Sequence, residues 1–417
     1  MNALDKYVAR QTFLPPIFSE PVSNDLGLVI TLPAYAEPDL ISSLESLLAC
    51  ELPHCSVEVV VLINHPIYAE PDQKDFNWQV HKKAEEWALQ NSNSKLRFLV
   101  SEPVELPKKH AGAGLARKVA MDEAVVRLQK SEIENPIIAC FDADATCERN
   151  YLLSLVKHFE ENPKSLGCSI NFEHPVSEQK KEFLNEGIIQ YELHLRYYQA
   201  GLAYAKHPHA EFTVGSSMAV TRNAYVAQGG MNRRKAGEDF WFMLKLMMAG
   251  TISAITDTTV FPSSRESFRV PFGTGRAMSE MTQKKDNTFY SAPFSSFHRL
   301  TEFWKQTQKL YSQEITITDA PTLKFLKEQN WEEVIAEIKG YTTDKASFDK
   351  RFSRWFNVFM VMKYFHFLRD QGIEDEPVLI GANKLMPLLG GKVAITSLDA
   401  LKFFRTKKRV QPDDYTP

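Results

Sequence analysis

Four short apolar runs, separated by segments of helical period, constrain this chain more than any other feature. They are residues 27–32 (GLVITL), 57–63 (VEVVVLI), 96–100 (LRFLV) and 137–141 (IIACF). Runs that are apolar at nearly every position suit strands buried on both faces, the state of a parallel sheet covered by helices. Between the runs, Leu40, Ile41, Leu44, Leu47 and Leu48 repeat at helical spacing behind Pro38. A polar helix follows with Trp78 and Trp87, then one with Ala116, Ala120 and Ala124 spaced by four. The expected class is α/β: a mainly parallel sheet flanked by helices. In such sheets ligands bind beyond the carboxyl ends of the strands.

Residues 1–25, with Pro15, Pro16 and Pro21, read as an irregular N-terminal extension, and 26–284 as the sheet domain. Strand signals fade beyond Glu280, so 285–417 reads as a helical C-terminal region. The basic cluster at 405–409 reads as a solvated, frayed end, with a peripheral lipid-surface contact as the alternative. A chain of 417 residues, 44% of them apolar, can bury a large core. A net charge of −3 gives no basic footprint for nucleic acid. The longest apolar run, 355–368, is interrupted by Lys363 and His366, so no transmembrane segment is expected. Five cysteines without a C-x-x-C pair, and no leader-like start, point to reduced thiols in the cytoplasm. Cys50, His54 and Cys55 lack the second ligand pair that a zinc site needs.

The fourth apolar run ends in Asp142-Ala143-Asp144. Residues i and i+2 of an extended strand face one way, so the two carboxylates would converge. Two hard oxygen ligands suit Mn²⁺ or Mg²⁺; the alternative is a solvated turn. A second constellation is Glu238-Asp239, which opens a helix whose apolar stripe is Phe240, Met243, Leu244, Met247 and Met248. Acids there complement the helix dipole, or one serves as a general base. Between the two, Gly215 and the serines after it, Ser216 first, interrupt a strand and allow backbone to approach a ligand closely. Finally, Arg265, Arg269 and Arg276 stand near Gly273 and Gly275, either as a surface loop or as a loop that closes over a diphosphate.

Taken in order, these motifs resemble the family-2 glycosyltransferases of the GT-A fold. The chain offers Pro33-Ala34-Tyr35-Ala36-Glu37, Asp142-Ala143-Asp144, Gly215 through Ala219 to Thr221-Arg222, Gly229-Gly230 and Glu238-Asp239. The resemblance implies an enzyme that moves a sugar from a nucleotide-diphospho-sugar donor to a hydroxyl acceptor, with inversion. It implies that 33–37 line the nucleotide and that Asp142 and Asp144 hold the metal on the diphosphate. Asp239 would deprotonate the acceptor, Glu238 would position it, and Lys109, His110 and Arg117 would lie near the nucleotide. The acceptor is open: a glycan, a lipid-linked glycan or a small molecule. Where the family carries acids after the second strand, this chain has Asn64 and His65, which leaves the nucleotide base undetermined.

Three rivals remain. Gly112-x-Gly114-x-x-Arg117 is a partial dinucleotide fingerprint, but it does not follow a strand directly and its third glycine is Arg117. A sugar nucleotidyltransferase would want a Gly-rich basic turn after the first strand. A catalytically inactive binding protein of the same fold would not need both carboxylate sites intact.

Overall fold

The computed structural model describes residues 2–176, 182–265, 274–284, 286 and 288–415. The chain divides into two compact units, residues 1–175 with 213–279, and 176–212 with 280–417. The first unit opens with α1 (Ala3–Arg10), β1 (Leu26–Ala34), α2 (Leu40–Leu48), β2 (Ser56–Pro66), α3 (Pro71–Asn91), β3 (Leu96–Val100) and β4 (Val104–Leu106). It continues with α4 (Ala113–Leu128), β5 (Ile137–Cys140), β6 (Thr146–Cys147), α5 (Tyr151–Glu161) and β7 (Gly167–Phe172). The second unit begins with α6 (Glu182–Tyr204). The chain then returns through β8 (Met218–Thr221), α7 (Arg222–Ala227), α8 (Glu238–Ala249) and β9 (Ile252–Phe261), and α9 (Thr274–Lys284) follows. Beyond it lie β10 (Tyr290–Ser291), α10 (Phe294–Thr307), α11 (Ala320–Glu328), α12 (Trp331–Gly340), α13 (Lys345–Trp355) and α14 (Val358–Asp370). A short β11 (Glu376–Pro377), α15 (Val378–Leu385) and α16 (Ser397–Lys407) complete the second unit.

The large sheet runs β3-β2-β1-β5-β8-β7-β9-β6, with β4 paired to β2. The α/β class expected of a GT-A-type domain is what forms. The first four strands are mutually parallel, and β8 runs against both β5 and β7. The period of two decides which core each residue joins. Leu28, Ile30 and Leu32 of β1 pack with Leu40, Leu44 and Leu47 of α2. Val29 faces the other way, into a core with Val60, Leu62 and the α4 residues Val119, Ala120 and Ala124. The carboxyl ends of β1, β2 and β5 therefore share one edge of a sheet that is covered on both sides.

Three local expectations need correction. The N-terminal 25 residues are not irregular throughout. Residues 3–10 form α1, started by a capping box in which Asn2 accepts from the Asp5 amide (2.8 Å). That segment is held down by α4: Asp122 accepts from the Tyr7 hydroxyl (2.8 Å) and the Phe13 amide (2.9 Å), and Glu123 from the Ile17 amide (2.8 Å). Lys118 Nζ, 2.9 Å from Asp122, balances the buried charge. The C-terminal basic cluster is not a frayed end either. Arg405 binds Glu192 of α6 through Nε (2.9 Å) and Nη2 (2.6 Å), Arg409 pairs with Glu211, and Gln199 exchanges two hydrogen bonds with the Val410 backbone. Fork-on-carboxylate pairing with a buried Glu192 orders this stretch and draws its charge inward. Lastly, Gly215 and Ser216 do not interrupt a strand; they form the turn ahead of β8, closed by Ser217 N donating to Val214 O (2.9 Å).

The docked N-terminus gives a stability prediction. Gly230 has φ +73°, and a Cβ there would lie 2.0 Å from Tyr7 Oη. Gly230→Ala should destabilise by about 2–3 kcal/mol through left-handed strain and overpacking combined. Tyr7→Phe removes the clashing atom, so in that background the glycine substitution should cost measurably less in urea denaturation. An equal cost in both backgrounds would place the strain elsewhere.

Candidate active site

Two arginines organise the carboxyl edge of the sheet. Arg117, on α4, is only 5% exposed. Its Nη2 donates to Asp142 Oδ1 (3.0 Å), its Nε to Glu238 Oε1 (3.2 Å) and its Nη1 to the Gly215 carbonyl (3.0 Å). One guanidinium thus ties together the strand-end aspartate, the first acid of α8 and the turn before β8. Burial alone would pull Arg117 down, but the charges of Asp142 and Glu238 more than offset it and keep the group cationic. A Cβ on Gly215 would lie 2.7 Å from Arg117 Nη2 and 3.2 Å from Asp239 Oδ2. Asp239 therefore shares this small volume, and only glycine leaves room for it.

Asp239 is half-buried and accepts from the Phe240 amide (2.7 Å). Burial raises its pKa first and the neighbouring Glu238 carboxylate second, pushing it up to about 7. Arg117 opposes the shift. A carboxyl that titrates near neutrality suits a general base better than an ordinary aspartate does.

The second arginine is Arg265, just after β9. It pairs with Glu37, and reaches Asp39 Oδ2 and Asp144 Oδ2 at 3.1 Å each. Burial lowers its pKa, while the hydrogen bond to Glu37 and the charges of Asp144, Glu37 and Asp39 raise it to a net upward shift. Glu37 itself is buried. The sequence left Arg265 between an ordinary surface loop and one that closes over a diphosphate; in the structure it meets three carboxylates, a set that no spacing in the sequence announced. Of its companions, Arg276 lies on α9, and Arg269 and Gly273 lie outside the described residues.

Asp142 and Asp144 do not converge as strand neighbours. The strand ends at Cys140, and residues 142–145 form a turn in which Ala145 N donates to Asp142 O (3.0 Å). Each aspartate consequently faces its own arginine. Ser43 of α2 supports the turn from behind, donating to the Ala143 carbonyl (2.9 Å).

The loop after β1 is framed by α3, the polar helix with Trp78 and Trp87, to which the sequence reading gave no part in the site. Asn77 accepts from the Ala36 amide (2.9 Å) and donates to the Asn64 carbonyl (2.9 Å), and Tyr35 donates to Gln73 (2.8 Å). Ala36 sits at φ 46°, a left-handed conformation that an asparagine would tolerate more readily. Pro33 and Ala34 end β1. Asn64 is buried, and its amide nitrogen donates to the carbonyls of Ala34 (3.0 Å) and Leu62 (3.3 Å), bracing the two strand ends. Ser216 is buried beside Ser217. Lys109 is exposed and His110 half-buried in the turn before α4.

The glycines of the partial dinucleotide fingerprint have a packing role. A Cβ on Gly114 would lie 2.2 Å from the Arg234 carbonyl and 2.9 Å from Glu238 Cβ, and one on Gly112 2.8 Å from the Lys235 carbonyl. They let the segment leading into α8 approach α4, which brings Glu238 to Arg117.

Among the described residues, no group of three or more His, Cys, Asp or Glu could hold a metal ion. Asp142 and Asp144 can still supply two oxygens of a sphere completed by phosphate and water. Their side chains are 38% and 22% exposed, against 5% for Glu238, 3% for Glu37 and 60% for Asp39, so both can be reached by a solvated ion. In donor type and access they fit Mn²⁺ or Mg²⁺. No helix among the described residues is long and apolar enough to cross a membrane.

No curated protein matches the sequence. Among solved structures, the chain is similar to S. aureus TarS 1–349 in complex with UDP-GlcNAc, at 17% identity over 70% of this chain and 68% of that one (TM-score 0.38). It is similar to the same protein in complex with UDP at 13% identity over 83% and 92% (TM-score 0.38). Residues 137–311 match the family described as Glycosyl transferase family group 2. That span holds Asp142, Asp144, Gly215, Glu238, Asp239 and Arg265, six of the residues that the two arginine clusters join. Residues 137–311 thus carry a family-2 glycosyltransferase domain, and the chain is a glycosyltransferase.

Proposed function

We propose that this enzyme transfers a glycosyl group from a nucleotide-diphospho-sugar to a hydroxyl of the acceptor, with inversion, and that Asp239 is the base. The observation that carries the reading is the meeting of Arg117, Asp142, Gly215, Glu238 and Asp239, from four separate segments, at the carboxyl edge of the sheet. Asp239 takes the acceptor proton. The nearby Glu238 charge keeps Asp239 basic enough to do so, and Arg117 stabilises the carboxylates before and after the transfer. The loop at 33–37, Asn64 and the Gly215–Ser216 turn border the place where the donor would lie, with Arg276 a further candidate contact. Asp142 and Asp144 would hold the Mn²⁺ or Mg²⁺, whose chemistry is to neutralise charge on the departing diphosphate. The acceptor is a glycan, a lipid-linked glycan or a small molecule.

Incubation with individual nucleotide sugars and Mn²⁺, followed by measurement of released nucleoside diphosphate, tests the activity. Asp144→Ala should weaken Mn²⁺-dependent donor binding at least about tenfold in calorimetry, with an unchanged circular-dichroism spectrum. Unaltered metal and donor affinity in that variant would remove the aspartates from the metal site.

A further inference from the structure

Arg265 brings one positive charge to three carboxylates, Glu37, Asp39 and Asp144, which come from the two motifs that flank the donor position. Glu37 lies almost wholly out of water, where an unbalanced charge is costly. A cation is therefore required at this spot whether or not a metal is bound. The guanidinium meets that need through its fork: Nη2 serves both Glu37 and Asp144, and Nη1 serves Asp39. One oxygen of Asp144, a carboxylate offered to the metal, is thereby already held by a protein cation. The other aspartate differs. Its partner Arg117 is buried and fixed by two further groups, whereas the Arg265 side chain is 26% exposed and follows the end of a strand.

We infer that Arg265 is an internal competitor for the divalent cation: it occupies Asp144 in the metal-free enzyme and must give up that contact when a metal is bound there. The inference rests on the reading of Asp142 and Asp144 as metal ligands. Its consequence runs against the usual effect of deleting an active-site residue. Removing Arg265 takes one positive charge away from three carboxylates, and a more negative cluster attracts a dication more strongly. Losing this side chain should therefore improve metal binding while destabilising the fold, because buried Glu37 loses a cationic partner.

The experiment is a Mn²⁺ titration of the whole chain, without nucleotide, read by the electron paramagnetic resonance signal of free Mn²⁺. Wild type, Arg265→Ala, Arg265→Lys, Asp144→Ala and the double variant Arg265→Ala/Asp144→Ala are compared. Arg265→Ala should bind Mn²⁺ at least about tenfold more tightly than wild type. Arg265→Lys, which keeps the charge and loses the fork, should fall between them. The double variant should lose the gain, which assigns it to Asp144. Should Arg265→Ala bind Mn²⁺ no better than wild type while Asp144→Ala binds it worse, the competitor role is wrong and the metal site stands. If neither wild type nor Arg265→Ala binds Mn²⁺, even with a nucleoside diphosphate added, the metal assignment falls and this inference falls with it. A merely structural Arg265 would lower the melting temperature without tightening Mn²⁺.

Discussion

Asp239→Asn should lower turnover by about 10²–10⁴-fold, the usual contribution of a general base, with donor affinity nearly unchanged and thermal stability no lower than that of wild type. The wild-type rate should carry a pH limb from the same group. As the proposed base, Asp239 would act only when ionised, and burial and Glu238 push its pKa up to about 7. Turnover should then fall about tenfold per pH unit below that point. Glu238→Gln removes the second cause of the shift, so the limb should move to lower pH with a smaller loss of rate at the plateau. A limb that stays near neutrality in Glu238→Gln would mean that another group titrates. Stability carries the opposite sign. The folded protein holds the Asp239 proton up to about 7, whereas the unfolded chain releases it near 4. The stabilising contribution of this proton is full below about pH 4 and is lost as pH rises through about 7. Asp239→Asn should flatten that part of the stability profile. Near-wild-type turnover in Asp239→Asn, with acceptor and donor supplied, would transfer the role to Glu238.

Arg117→Met should cost about 3–5 kcal/mol, because it strands buried Glu238 and the Gly215 carbonyl and leaves Asp142 without its partner. This is a large share of the 5–15 kcal/mol that typically holds a domain together. The midpoint of urea unfolding is the measurement. Adding Glu238→Gln to Arg117→Met removes the stranded charge, so the double variant should be more stable than the sum of the two single losses. Strict additivity would show that the 3.2 Å contact contributes nothing to the fold. Arg117→Lys should rescue little, since a point charge cannot span three acceptors fixed in a fork.

The sheet was readable because β1, β2, β3 and β5 are nearly unbroken apolar runs, which leave few alternatives to burial on both faces. Glu238 and Asp239 were readable for a related reason: the apolar stripe behind them fixes where a helix begins. The aspartate pair was half readable. Its place at a strand end was correct, but the shared strand face was not, because nothing local shows that the strand stops at Cys140 and turns. The arginine partners were the least readable. Arg265 meets Glu37 across 228 residues and Arg405 meets Glu192 across 213, distances over which composition and periodicity carry no information. The helix α1 was missed because its eight residues are too few to form alone, and it depends on Asn2 and on Asp122 rather than on propensity.

The docking of α1 also bears on how the protein emerges from the ribosome. Asp122 follows Tyr7 by 115 residues, so at roughly 5–20 residues per second Tyr7 waits roughly 6 to 23 seconds for its partner to be made. Tyr225, whose hydroxyl donates to the same carboxylate (2.9 Å), comes later still. The strap of residues 3–17 is therefore made well before the partners that seat it.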